Sequence, residues 1–411
     1  MLWIATAMGA VLTFLTQALL ARKLGPSEYG LFASSLSTIT IVASLAGFGL
    51  PAYWLQVYGV EGWQANRWLG PSWRFIVIST VASLVLIVVW SLAGATPDAR
   101  PILLLLLPLV FGVLVVNLIS SQLRLEERHQ SLAWWQLITP GGRVLVAGLL
   151  WLLPGVDGRV AAVGFSATSI LMVMLAWPEL RAMMRGDIQL YGHGPRPEQL
   201  VALPAPSMGR LWSLSWAYGL DASLYTIFFS ISIVLLKYLS GNAQAGIFGI
   251  ALGVMMAIYL IPTTIYQKFL LSKLHRWAAH DTDKFWKAFR YGSMAMLALG
   301  LLVGGALVVV SPWVVPLIFG EKYHQVAQVL MILAICVPAR FLCTVMTTAL
   351  LSEKHTRYRV GATGFNALVV VVFNVLLIPH YHVMGAAFAT VLGELSSLLS
   401  MYLGVRRFHA R

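Results

Sequence analysis

Long apolar runs separated by short polar breaks dominate the chain. Twelve can be marked off, at residues 2–21, 31–54, 75–95, 101–122, 132–153, 159–178, 212–239, 245–271, 291–313, 326–350, 360–379 and 383–405. Each is about 20 residues or longer, enough to cross a hydrocarbon core of about 30 Å as an α-helix. Strand alternation is absent from them, so the pattern predicts an all-α polytopic membrane protein of twelve transmembrane helices. The first run resembles a signal peptide in length, but it has no cleavage site and leads straight into a second run, so it is expected to remain attached.

Two of the breaks match. Setting "LLARKLGPSEYGLFASSL" (19–36) over "LLKYLSGNAQAGIFGIAL" (235–252), 216 residues apart, superposes Leu19, Leu20, Gly25, Gly30, Phe32 and Leu36 on Leu235, Leu236, Gly241, Gly246, Phe248 and Leu252. Both passages lie between the first and second runs of a six-run half. Six crossings separate them, so both halves would enter from the same side. The expectation is two six-helix bundles related by a pseudo-two-fold axis along the membrane normal. Gly25 and Gly241 can end a helix at positive φ, and Gly30 and Gly246 can let the next helix start close by. The stretch 179–211, rich in Pro and Gly, reads as a tether. The expected organisation is therefore an N-terminal lobe over 1–178, a cytoplasmic linker over 179–211 and a C-terminal lobe over 212–411.

Composition agrees with a bilayer: 59% of residues are hydrophobic and only 10% charged, against about 25% charged in soluble domains. The net charge of +13 raises nucleic acid as a partner, and its distribution argues against that. With a cytoplasmic N-terminus, Arg22, Lys23, Arg100, Arg159, Lys237 and Lys322 face outward, Arg143 and Arg340 lie within runs, and the other twenty of the 28 Lys and Arg face the cytoplasm. That asymmetry is the positive-inside signature, with contacts to anionic lipid headgroups as a second use of the same residues.

Several chemistries have no residues to support them. No phosphate-cradling Gly-rich loop, nucleophile elbow or His-Glu-x-x-His is present, so neither nucleotide hydrolysis nor a hydrolase is expected, and no cofactor is implied. Cys336 and Cys343 share one apolar run at a spacing that suits packing better than a metal or redox site. His275, His280, His380 and His382 have no accompanying ligands nearby in sequence, so no metal site is expected. Outer loops such as "ATPDAR" (95–100) and "PHYH" (379–382) are too short for an outer domain.

Charges inside spans cost about 2.5–3.5 kcal/mol each on insertion scales and therefore point to function. Arg143, Asp221, Arg340 and Glu394 all fall near mid-depth of their runs. Both arginines follow helix breakers, "TPGGR" and "VPAR", where a bent or broken span can build a binding site. A guanidinium facing a central cavity could hold a diphosphate or an acidic sugar through paired hydrogen bonds. The competing reading is structural: buried ion pairs between Arg143 or Arg340 and Asp221 or Glu394. Those two acids are also the candidates for proton or sodium coupling. Lys268 and Lys273, at the inner end of the eighth run, are candidate phosphate contacts. The basic and aromatic stretch 273–290 reads as a helix lying among lipid headgroups.

The stretches "LLARKLGPSEYGLFASSLSTI" (19–39), "LRLEERHQSLAWWQLITPGGRVLVAGLL" (123–150), "PLIFGEKYHQVAQVLMILAICVPARFLCTVMTTALLSEKHTRYRV" (316–360) and "NVLLIPHYHVMGAAFATVLGELSSLLSMYL" (374–403) resemble the polysaccharide transporter, or oligosaccharide flippase, branch of the superfamily that includes multidrug-and-toxin extrusion transporters. The resemblance implies a bacterial inner-membrane protein with cytoplasmic termini. It implies translocation, by alternating access, of an undecaprenyl-pyrophosphate-linked oligosaccharide from the cytoplasmic to the outer leaflet, for O-antigen, capsule or exopolysaccharide assembly. Glycan polymerase and chain-length machinery would be its partners. Twelve runs rather than fourteen make the peptidoglycan-precursor flippases a poorer match. Two rivals remain at this stage: a multidrug exporter, for which a more acidic cavity is expected, and a membrane-embedded glycan polymerase or ligase, for which a large outer loop is expected.

Overall fold

The computed structural model describes residues 2–194, 197, 203–266, 282–350 and 356–409, and among these no strand occurs. The α-helices are α1 (Leu2–Ala43), α2 (Leu50–Glu61), α3 (Leu69–Ala93), α4 (Ala99–Leu105), α5 (Pro108–Leu125), α6 (His129–Leu152), α7 (Gly158–Met184), α8 (Met208–Ser240), α9 (Asn242–Thr263), α10 (Thr282–Phe319), α11 (His324–Leu333), α12 (Cys336–Ala349) and α13 (Thr356–His409). Short 3₁₀ turns, Gly62–Trp68 and Glu321–Tyr323, join α2 to α3 and precede α11.

Eight helical stretches are each long and apolar enough to cross a membrane, and Glu321–Leu333 with Cys336–Ala349, bent by 50°, forms a ninth. Two of the eight are double. Gly25 (φ 76°, ψ 171°) breaks α1, and His382 (φ 50°, ψ −130°) breaks α13. α6, with 24 residues, is also long enough to cross, although Arg143 and its other polar residues lower its hydropathy. The described residues thus contain the twelve passes that the apolar runs predict. Helices also overshoot those runs, because bilayer thickness limits the apolar run and not the helix, which can continue into the headgroup region and beyond. α10 begins nine residues before the apolar run at 291. Residues 282–290 are therefore the first turns of a spanning helix and not a separate headgroup helix; residues 267–281 lie outside the described part.

The chain forms two compact units, and their boundaries fall inside helices rather than at 178 and 211. The first comprises Met1–Thr16 and Ser35–Ser230, and the second Gln17–Ser34 and Ile231–Arg411. Close backbone packing explains both exchanges. In the second unit a Cβ on Gly30 would overlap the carbonyl oxygen of Asn242, and one on Gly246 would overlap that of Pro26. The two copies of the repeated turn therefore pack against each other, and only glycine permits that approach. Gln17 Nε2 donates to the Gly249 carbonyl (3.2 Å) and the Tyr323 hydroxyl to the Ala21 carbonyl (2.9 Å), fastening the same segment. The turns themselves share one geometry: Gly241 (φ 98°, ψ 167°) repeats the conformation of Gly25, and Gly320 (φ 95°, ψ 164°) gives a third instance.

In the first unit, the early part of α8 is held to the segment before α2 in a similar way, with Gly49 against Gly219 backbone to backbone. Tyr218 donates to Gln56 Oε1 (2.7 Å), and Phe48 stacks on Trp212 (ring centroids 5.3 Å apart). The unit's core collects Tyr53, Trp54, Tyr58, Trp63 and Trp68 with Leu118, Ile119 and Met183. Ile188 and Leu190, from the stretch expected to be a tether, are buried in that core. Trp63 Nε1 donates to the Gly194 carbonyl (3.2 Å), so the described residues 186–194 form a strap on the first unit.

Candidate substrate site

Arg143 sits in α6, which runs through Pro140 without interruption, contrary to the break expected there. Small residues bring α7 close at this level: a Cβ on Gly142 would overlap the Thr168 side chain, and one on Gly164 that of Val146. This proximity puts Phe165 of α7 under the guanidinium, whose central carbon is 4.8 Å from the ring centroid. Arg143 Nε is buried and has no hydrogen-bond partner. Among the described residues no carboxylate pairs with Arg143, so the expected pairing with Asp221 or Glu394 does not form there. Asp221 lies half-buried in α8 of the same unit. A guanidinium so placed has its cation–π support on one face and unfilled hydrogen-bonding capacity at its edge.

Arg340 differs. It belongs to the second unit, in the half of a broken span that follows Pro338. Pro338 has no N–H to offer, and the chain tightens ahead of it, with Val337 N–H donating to the Ala334 carbonyl (3.1 Å). On α10, Gly300 and Gly304 let that helix approach the break, Gly300 facing Pro338 and Gly304 the Ala334 carbonyl. The bend turns α12 so that Arg340 meets α9 and α13. Its Nη1 lies 3.6 Å from Glu394 Oε2, and its guanidinium carbon 5.1 Å from the Tyr259 ring centroid. Glu394 is fully buried, while the Arg340 side chain keeps 13% of its surface exposed. The Tyr259 hydroxyl also reaches toward the Glu394 carboxylate, although neither Glu394 oxygen accepts a hydrogen bond of good geometry.

Of the residues singled out from the sequence, then, the structure joins Arg340 to Glu394 and leaves Arg143 without an anion. Lys268 and Lys273 lie outside the described residues. Cys336 and Cys343 are buried and unbridged, and Cys343 Sγ is 3.4 Å from Ser397 Oγ. Among the described residues no group of His, Cys, Asp and Glu could hold a metal ion. Sequence reasoning missed Phe165, Tyr259 and the Gly300/Gly304 pair. The four-residue glycine spacing on α10 was a readable sign of a close helix contact; nothing in sequence distinguishes Phe165 and Tyr259 from the other aromatics.

Known proteins resemble this chain over nearly its whole length. The probable low-salt glycan biosynthesis flippase Agl15 of Haloferax volcanii is 22% identical over 401 residues, covering 95% of this chain and 79% of the relative. The lipid II flippase MurJ in an inward closed conformation has the same fold, with a TM-score of 0.74 and 14% identity, covering 98% of this chain and 87% of that one. Twelve passes therefore do not make a peptidoglycan-precursor flippase a poor match in fold; the neighbour's extra length lies outside the shared part. An inward-facing multidrug resistance transporter of the MATE family gives a TM-score of 0.63 at 16% identity, covering 97% and 94%. A transporter of the same superfamily from Pyrococcus furiosus, described as having a binding pocket of reverse polarity, gives 0.61 at 16%, covering 99% and 94%. A family model described as "Polysaccharide biosynthesis protein" matches residues 1–270. With that match over most of its length, its helical passes and these relatives, the chain is a multi-pass membrane protein that belongs to the polysaccharide biosynthesis protein family.

Proposed function

We propose that the chain is a flippase that moves an undecaprenyl-diphosphate-linked oligosaccharide from the cytoplasmic to the outer leaflet of a bacterial inner membrane, with both termini cytoplasmic. The observation that carries this reading is Arg143: a guanidinium well inside a spanning helix, stacked on Phe165 and, among the described residues, without a carboxylate. Leaving such a charge in lipid is costly, and an anionic substrate that pairs with it during passage offsets the cost. A multidrug exporter shares the fold, so the fold does not choose between them; Arg143 supports the flippase reading, because a site for cationic drugs is better served by free carboxylates.

The flippase names of the relatives support the substrate class, and the asymmetry of Lys and Arg supports the orientation. Movement would proceed by alternating access. The division of the chain into two compact units supports that step. O-antigen, capsule and exopolysaccharide assembly are the contexts in which such a product is used, with a glycan polymerase and chain-length machinery acting next.

Deleting the gene and locating the lipid-linked glycan tests the proposal. Glycan accumulating unpolymerised on the inner face is the expected result. Accumulation on the outer face would point to a polymerase, and drug sensitivity with normal glycan would point to an exporter.

A further inference from the structure

The ion pair in the second unit is built asymmetrically. Glu394 has no exposed surface, whereas Arg340 retains 13% of its side-chain surface. The cation is therefore the accessible member of the pair and the carboxylate the hidden one. The pair is also loose: 3.6 Å separates the nearest atoms, and neither carboxylate oxygen has a good hydrogen bond. A buried pair contributes to stability only when its geometry is tight and its remaining lone pairs are satisfied. Around it stand Tyr259 of α9, with its ring under the guanidinium and its hydroxyl toward the carboxylate, and Cys336, one turn earlier on α12 and fully buried. Helix packing alone would be served as well by apolar residues at both positions.

We propose that Glu394 is an internal competitor for Arg340, which sets how tightly this guanidinium holds the diphosphate of the substrate. When a diphosphate arrives on the exposed side, Arg340 turns part of its hydrogen-bonding fork from Glu394 to the phosphate oxygens; when the substrate leaves, Glu394 takes the guanidinium back. A transporter must release what it binds, and binding that is too strong slows turnover. This inference rests on the flippase reading and adds to it a residue that governs release.

The test uses the full chain in lipid nanodiscs, with undecaprenyl diphosphate as the probe and inorganic pyrophosphate and phosphatidylglycerol as competitors. Glu394→Gln should tighten probe binding about tenfold and slow its dissociation. In an Arg340→Gln background the same change should have no effect, since the competitor has nothing left to compete for. Competition by inorganic pyrophosphate marks recognition of the diphosphate itself; competition by phosphatidylglycerol alone marks a lipid-headgroup site and overturns the proposal. Unchanged or weaker binding in Glu394→Gln, with folded protein, also overturns it. If Glu394→Gln does not fold, Glu394→Asp, which draws the charge back by one methylene, should tighten binding by a smaller factor, and unchanged affinity there is equally contrary. A wild-type protein that binds no diphosphate sinks the flippase reading together with this one; loss of binding in Arg143→Gln with no effect of Glu394→Gln sinks this one alone.

Discussion

Arg143 and Arg340 share a residue type, a depth and a preceding proline, yet they have different surroundings. Arg143→Gln should leave protein abundance unchanged and lower transport about tenfold or more, the scale expected for losing one charge-assisted contact. Arg143→Lys should recover only part of it, because an ammonium offers neither the paired donors nor the flat face that Phe165 supports. Phe165→Leu should weaken substrate binding several-fold, in keeping with about 0.5–2 kcal/mol for a cation–π contact. Equilibrium binding with each folded variant checks all three. Part of this was legible in the sequence: a charge within twenty apolar residues stands out against its neighbours. Its partner was not, because periodicity says which face of a helix is polar and not which helix lies opposite. Asp221 and Glu394 were equal candidates on paper; the 50° bend ahead of Arg340 brings Glu394 to it.

Among the helices, glycines do two separable jobs. At Gly25 a side chain would meet open space, but φ is 76°; at Gly30 it would overlap the Asn242 carbonyl. Gly25→Ala should accordingly cost about 1–3 kcal/mol from backbone conformation alone, since φ 76° with ψ 171° is a region essentially reserved to glycine, while Gly30→Ala should cost more still and abolish transport, because α1 and α9 could no longer close on each other. Thermal unfolding in detergent, alongside transport, separates the two. The sequence repeat marked these positions correctly, but it offered the mild explanation, a close start to the next helix. The stronger one, a backbone contact between the two copies, needs the spatial neighbour. His382 adds a further case. It holds φ 50° at a helix break without being glycine, and its Nδ1 lies 2.8 Å from Ser240 Oγ. His382→Val should be markedly destabilising there, as a β-branched residue tolerates positive φ poorly.

For the chain as a whole, twelve passes were readable because a bilayer imposes length and apolarity on every span. The grouping of those passes was not, since lipid-facing and helix-facing surfaces are both apolar and hydropathy cannot tell them apart. Hence the exchange of residues 17–34 and of the first part of α8 between the units left no trace in composition. The segment after α7 is similar: it looked like a uniform tether, yet Ile188 and Leu190 are core residues. A flexible Gly/Ser insertion of about six residues among 203–207 should be tolerated, and the same insertion after Ile188 should lower both stability and expression, as measured by unfolding temperature and abundance.

The central claim is that this protein moves a lipid-linked diphosphate glycan across a bilayer using an unpaired cation. Its most direct test is a proteoliposome carrying purified protein and undecaprenyl-diphosphate oligosaccharide, with exposure of the glycan scored by a membrane-impermeant glycosidase. The account predicts that the protected half of the glycan becomes cleavable with the wild-type protein and stays protected with Arg143→Gln. Equal exposure by the two proteins, or none by either, would contradict it.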